Sequence, residues 1–335
     1  FQLSYLAVLG IVYFQPRIYR LWYIRNPAGD YLWKLAAVSI AAQIGTLPVS
    51  LYYFHQFPLY FLLSGLIVVP AAGLILSAGI LLFVLGSWAW GAALAGTVLY
   101  GLIYLVNAGI FALEQLPGSL LDGIWVGTGG VVLLYGILAC WIAAHRLRQF
   151  RWVLAGLGLA VLLSGSYAWR KWELATQRAL TVYHVYKATA VDVFSGNKLS
   201  TVRSSGLEPG QLEYAAQNHR WWRGAAAANV YPPDGEAAGQ VFGNAGFWWA
   251  AGKRFLVLQQ PAQLSGTTTA PEVDFVLLSH SPEVSIADLQ NQVEARLVLA
   301  DGSNPPWRAK RWAAEAKAAG IPFHYTGKQG AYTME

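Results

Sequence analysis

The chain has 335 residues, 56% of them hydrophobic and only 12% charged, with a formal net charge of +6. Ordinary soluble domains carry about 25% charged residues, so composition excludes a protein that is water-exposed throughout. A single cysteine, Cys140, lies in an apolar run and excludes intramolecular disulfides and cysteine-rich metal sites.

The first apolar run, FQLSYLAVLGIVYF (1–14), is shorter than the ~20 residues that span a bilayer. It lacks the basic start and small-residue cleavage site of a signal peptide, and reads as a helix cut by truncation, with sequence missing upstream. Further apolar runs follow at 33–54, 57–86, 88–113, 124–144 and 151–169. From Leu35 through Leu113 there is no Asp, Glu, Lys or Arg, a stretch of 79 positions. A soluble surface needs such groups, whereas one charge at a bilayer centre costs ~2.5–3.5 kcal/mol even on the mildest scale. Residues 1–169 therefore read as a polytopic α-helical membrane domain with about six hydrophobic runs. The run 57–86 would make a helix ~45 Å long against a ~30 Å hydrocarbon core, so it must tilt, kink or re-enter. Pro70 is the simplest kink position, and Pro48 in the preceding run is another.

Loop charges set orientation. Arg17, Arg20, Arg25 and Lys34 follow the first run, and Arg146, Arg148 and Arg151 lie between the last two. The loop at 114–123 carries only Glu114 and Asp122. Placing both basic loops in the cytoplasm, with one crossing for run three, sends the end of the last run out of the cytoplasm. Arg170 and Lys171 at that outer end run against the rule.

Ser39, Gln43, Thr46 and Ser50 are spaced 4, 3 and 4 and so share one helix face. Two readings stay open: the stripe lines a polar path, or it hydrogen-bonds between helices at ~0.6 kcal/mol per contact. His55 and Asn107 stand alone and read as structural. Small residues recur at four-residue spacing (Gly73 and Ser77, Gly91 and Ala95, Ala92 and Gly96, Gly156 with Ala160 and Ser164), which favours close helix contact.

From Arg170 on, the chain holds fourteen of its seventeen acidic and sixteen of its twenty-three basic residues. RKWELATQR begins a linker (170–179), and residues 180–335 form a soluble domain of ordinary size. LTVYHVYKATAVDVF is β-rich, SGN turns, and KLSTV is a strand. EPGQLEYAAQNHRWW predicts a helix with Pro209 near its start, and RFLVLQQ a strand. Then strand 274–279 leads to helix 285–294, with Ser285 and Asp288 in capping-box spacing. Strand 296–300 precedes helix 307–319, stopped by Gly320 with Pro322 beyond it, and strand 321–326 closes a layered α/β domain.

FQLSYLAVLGI, AAQIGTLPVSLYYFHQFPLYFLLSGLIVVP (41–70) and the small-residue run after it resemble the competence domain of the ComEC family. The resemblance joins Gln43, Thr46, Pro48, Phe54, Gln56, Phe57, Pro58 and Pro70, while Gly65 stands where it leads one to expect an asparagine. It implies an inner-membrane channel component for uptake of single-stranded DNA in natural transformation. A charge-free bundle is compatible with such cargo, because fixed acids would repel a polyanion and fixed cations would trap it. VDFVLLSHSP, LVLADGSN and IPFHYTGKQGAYT are similar to the C-terminal part of that family's metallo-β-lactamase-like nuclease domain. That chemistry needs clustered histidines and carboxylates around metal. The H-x-H-x-D-H signature is absent, Ser281 stands where a second histidine is expected, and YKATAV (186–191) replaces the family's Gly/Gln/Asp turn.

The soluble domain is accordingly read as degenerate, non-catalytic, extracytoplasmic and without cofactor or metal, with His280, Asp301 and His324 as remnants of a site. NHRWWR interleaves Arg220, Trp221, Trp222 and Arg223 as candidate single-stranded DNA contacts; core aromatics with solvated arginines, or a membrane-surface anchor, are the alternatives. Expected partners are single-stranded DNA, the bilayer, other competence-machinery proteins and a second copy of the chain. No G-x-x-x-x-G-K-[ST] loop occurs, so a DNA-translocating ATPase would be a separate protein. Two other functions stay open: a membrane-tethered metal-dependent nuclease or hydrolase using His280, Asp301 and His324, and a small-solute transporter.

Overall fold

A computed structural model describes the chain except residues 226–227, 234–240, 245 and 261–270. The chain divides into two compact units, Phe1–Leu163 and Ser164–Glu335. The first is built from helices α1 (Gln2–Tyr19), α2 (Pro27–Phe54), α3 (Phe61–Val84), α4 (Ala89–Glu114), α5 (Thr128–Leu147) and the first half of α6 (Phe150–Thr176). Helices α2 to α6 are each long and apolar enough to cross a membrane. Large apolar side chains such as Leu74, Phe83, Leu94, Tyr104 and Val161 stay exposed on them, as lipid-facing residues do.

Local signals fix the helix ends. The Asn26 side chain accepts the Ala28 N–H at 2.9 Å, Pro27 follows, and His55 closes α2 in the left-handed conformation. α2 is the most enclosed of the apolar helices and packs against α1, α3 and α5. Its seam with α1 is made by small residues: Ala37 and Ala41 are fully buried, and a Cβ on Gly10 would overlap the Ala41 carbonyl oxygen. Such close backbone approach is how helices associate where water supplies no hydrophobic drive. Of the four-spaced small residues, Gly156 places its missing Cβ 3.3 Å from Cys140 of α5, whereas Gly73 faces open space.

The thirty-residue run does not become one helix. Phe57–Pro58 (β1) pairs antiparallel with Leu120–Leu121 (β2), which ties the α2–α3 and α4–α5 loops together at one end. α3 then starts at Phe61 and is 24 residues long, about 36 Å. Helices α3 and α2 continue through Pro70 and Pro48 respectively. Residues 170–176, within the expected linker, are the last turns of α6.

The second unit is a four-layer sandwich. One sheet orders β15 (Tyr332–Met334), β3 (Arg178–Val182), β4 (Ala190–Ser195), β5 (Lys198–Arg203) and β6 (Ala228–Tyr231). The other orders β14 (Phe323–Tyr325), β13 (Val298–Ala300), β11 (Phe275–Leu278), β9 (Lys253–Leu258), β8 (Phe247–Ala250) and β7 (Val241–Asn244). Its strands β9, β11, β13 and β14 are parallel. A short pair, β10 (Glu272–Val273) with β12 (Glu294–Ala295), stands apart.

Strand alternation explains the layers, since successive side chains point to opposite faces. Phe255, Val257, Phe275 and Leu277 meet Leu180, Val182, Val191 and Val193 between the sheets. Their neighbours Leu256, Leu258, Val276 and Leu278 face outward and are covered by Ile286 and Leu289 of α8 (Ile286–Gln292) and Trp312 and Ala316 of α9 (Pro306–Ala319). On the far side of the first sheet, Tyr183 and Ala190 are covered by Leu212 and Ala216 of α7 (Pro209–Trp222). Ser285 caps α8, its hydroxyl accepting the Asp288 N–H at 3.1 Å, and Gly320 ends α9 at φ +71°. The Ser195–Asn197 turn between β4 and β5 depends on Gly196 at φ +58°, where a Cβ would lie 2.7 Å from the Ala175 carbonyl oxygen.

Candidate functional site

Parallel strands of α/β sheets place polar residues at their carboxyl ends, where ligands commonly bind. Here β11 runs into Ser279 and His280, and β13 runs into Asp301. Asp301 is fully buried. One of its carboxylate oxygens accepts the Thr189 hydroxyl at 2.5 Å. The other accepts the Ser303 N–H at 3.0 Å, the Ser303 hydroxyl, and the Asn304 amide at 3.1 Å. Burial pushes the Asp301 carboxyl up to about 6, against the downward pull of the Ser303 and Thr189 hydrogen bonds.

Thr189 stands on the other sheet's side of the sandwich, just before β4, and its hydroxyl lies 2.5 Å from that of Ser279. Ser279 in turn lies 2.7 Å from Nδ1 of His280. His280 is exposed, and desolvation of its ring lowers its pKa. Asp301, Thr189, Ser279 and His280 thus form one hydrogen-bonded chain from a buried carboxyl to the surface. It can relay a proton and it links two sheets.

His280 and Ser281 both adopt positive φ, 55° and 59°, which costs non-glycine residues about 1–3 kcal/mol each. The turn is held by the segment after β13: the His280 N–H donates to the Ser303 hydroxyl at 2.7 Å and the Ser281 N–H to the side-chain Oδ1 of Asn304 at 2.8 Å. The Asn304 amide also donates to the Leu278 carbonyl at 2.7 Å, and the Arg308 guanidinium donates to the Ser281 carbonyl.

His324 does not join this chain. It lies within β14 opposite Leu299, within 2.9 Å of the Gly330 carbonyl and packed on Tyr332. Among the described residues, no three His, Cys, Asp or Glu side chains converge as metal ligands would. The oxygens of Asp301 are turned to Thr189, Ser303 and Asn304, so this donor set does not fit a metal ion.

The NHRWWR segment ends α7 and faces inward in part. Arg220 makes a two-pronged pair with the fully buried Asp192, at 2.7 and 2.8 Å. Asp192 also accepts the Thr201 hydroxyl at 2.6 Å. Arg223 is buried, pairs with Glu335 at 2.7 Å and lies 4.6 Å from the Trp222 ring. Trp221 is half-buried and Trp222 remains partly exposed. The four candidate contacts therefore do not present one open face, because the two guanidinium groups are turned to carboxylates.

In the helical unit, Ser39, Gln43, Thr46 and Ser50 lie half-buried on α2, on the face opposite the Ala37–Ala41 seam. Thr46 donates to the Ala42 carbonyl of its own helix at 3.0 Å. The Ser39 hydroxyl is buried without a hydrogen-bond partner. It abuts Gly65 of α3, where a Cβ would overlap the Ser39 oxygen and sit 3.0 Å from the Ser39 Cβ. None of the four side chains hydrogen-bonds another helix among the described residues. Thr189 escaped sequence reasoning because a threonine inside YKATAV carries no signal until the two sheets are brought face to face.

Residues 1–151 match the family model described as Competence protein, and residues 180–335 match the one described as ComEC C-terminal domain. No curated protein and no solved structure matches the chain.

Proposed function

Since the chain belongs to the ComEC family of competence proteins, with a role in competence and DNA uptake, we propose that its helical half forms part of the inner-membrane passage for single-stranded DNA. The observation that carries this reading is the α2 stripe. The most enclosed apolar helix carries Gln43, Thr46 and Ser50 on one face, none bonded to another helix among the described residues, while Ser39 of the same stripe is buried against Gly65 of α3. Such groups solvate a passing phosphodiester backbone weakly enough to release it, and no fixed charge repels or traps it. Energy would come from a separate translocating ATPase, and a second copy of the chain is a natural partner for a lipid-exposed bundle.

Charge supports the orientation. The β1–β2 pair puts the α2–α3 and α4–α5 loops at one end, and neither carries Lys or Arg. Arg17, Arg20, Arg25, Lys34, Arg146, Arg148 and Arg151 lie at the other end, which the positive-inside rule assigns to the cytoplasm, and only Arg170 and Lys171 near the far end of α6 run against it. An odd number of crossings by α2 to α6 then delivers the soluble half to the extracytoplasmic side. Its helix–sheet–sheet–helix layering supports a metallo-β-lactamase-like ancestry, and a donor set that does not fit metal supports a domain that no longer cuts DNA.

The test is a clean deletion in the native competent host, complemented with the unaltered chain or with Gln43→Leu and Ser50→Leu together. The expected result is loss of transformation on deletion, with the double variant at least about tenfold below wild type at equal membrane abundance. Undiminished transformation in the deletion strain sinks the reading. The purified chain should leave DNA intact with Mn²⁺ or Zn²⁺.

A further inference from the structure

The soluble unit contains a cleft of about 1110 Å³, bounded by the segment before Thr189, the turn after β13, α9, β14 and the short helix α10 (Thr326–Gln329). Its volume exceeds the ~300–1,000 Å³ of small-molecule pockets. Four lysines line it, Lys187, Lys310, Lys317 and Lys328, and among the described residues no aspartate or glutamate does. Each lysine is exposed, and none takes part in the ion pairs of the described residues. Uncompensated cations converging on one concavity focus a positive potential.

The placement is specific. Lys310 and Lys317 are seven residues apart on one face of α9, about 10.5 Å along its axis, so they form a row. Lys187 stands across from them in the left-handed conformation, φ 56°, its N–H donating to the Gly302 carbonyl at 2.9 Å. That bond pins the Lys187 segment to the turn that also holds Asp301. Two aromatic rings join the lysines: Tyr186, largely exposed, and Tyr325 on the β14 wall. A basic groove with interleaved aromatic faces is how proteins hold single-stranded nucleic acid without reading its sequence.

We infer that this cleft binds the phosphodiester backbone of single-stranded nucleic acid, with the four lysines on phosphates and Tyr186 and Tyr325 as stacking faces. The naming of the polymer rests on the DNA-uptake reading; the cleft itself is tested by binding, independently of transformation. It is a different surface from NHRWWR, whose guanidinium groups are already paired.

The experiment is fluorescence anisotropy of labelled dT20 with the full chain in nanodiscs, for the unaltered protein, the quadruple Lys→Gln variant at 187, 310, 317 and 328, and the Lys310→Gln/Lys317→Gln pair. The expected result is a Kd at least about tenfold higher in the quadruple variant. The slope of log affinity against log salt should be shallower by about 0.7 per lysine that contacted a phosphate. Lys→Arg at the same four positions should retain binding. An unaltered chain that does not bind dT20, or a quadruple variant that binds with unchanged affinity and slope, overturns the inference. So does equal competition by inorganic phosphate, which would mark a small-anion site. Those failures leave the deletion phenotype untouched, whereas a deletion that transforms normally removes the uptake reading and leaves the binding result standing.

Discussion

Thr189 and Asp301, which flank strands of different sheets, share a 2.5 Å hydrogen bond in a fully buried setting. The Asp301 carboxyl titrates at about 6 in the fold against an ordinary 3.8. Between those values the folded chain holds a proton that the unfolded chain has released. Stability therefore falls as pH rises from about 4 to about 6 and levels off above, by a total on the order of 3 kcal/mol at ~1.36 kcal/mol per pH unit. Asp301→Asn should flatten that slope, even if it lowers stability at every pH. Denaturant unfolding of the full chain in detergent, followed by tryptophan fluorescence from pH 4 to 7, measures it. An identical slope in the asparagine variant would contradict the assignment.

Arg220 and Asp192 make a second buried relationship with the opposite lesson for mutagenesis. Removing one partner of a buried ion pair leaves an uncompensated charge, at about 3–5 kcal/mol. Arg220→Gln should therefore unfold the soluble half at lower denaturant, and any accompanying loss of DNA binding would be secondary. Asp192→Leu in the Arg220→Gln background should recover much of the loss, because the stranded carboxylate is gone. A double-mutant cycle reads the coupling, and near-additivity would argue against the pair.

Gly65 packs directly on Ser39. A leucine at 65 has nowhere to go without displacing α3 from α2, so Gly65→Leu should cost about 1–3 kcal/mol, read as a lower melting temperature in detergent. Ser39→Gly removes the atoms that are struck and should restore part of the loss. Equal melting temperatures for Gly65→Leu and wild type would mean the two helices do not meet there.

Metal content offers a fourth check. The oxygens of Asp301 are turned inward and His324 lies away from His280, so the purified full chain should carry no stoichiometric Zn or Mn by plasma mass spectrometry. One equivalent that EDTA removes, with a change in unfolding midpoint, would show that the strand ends rearrange to bind it.

Much of the architecture can be read from sequence, for identifiable reasons. A charge-free stretch from Leu35 to Leu113 has one physical home, and Ser285 with Asp288, or Gly320 after Ala319, mark helix ends through local backbone chemistry. What stays hidden depends on partners distant in the chain. Gly10 is one glycine among thirty-four until Ala41 is seen against it. NHRWWR looks like an open basic face until Asp192 claims Arg220. Lys187 and Lys328 are 141 positions apart, and only the fold puts them around one hollow. His280 and Asp301 stand out in the sequence as strand-end residues, but the connection made by the hydroxyls of Thr189 and Ser279 does not.

The pairing of Phe57–Pro58 with Leu120–Leu121 closes a ring of chain. Everything between, including both α3 and α4, leaves and returns through one stitched foot. The two helices thus share one anchored base, and the loops that enter α3 and leave α4 cannot part there without breaking the β1–β2 bonds.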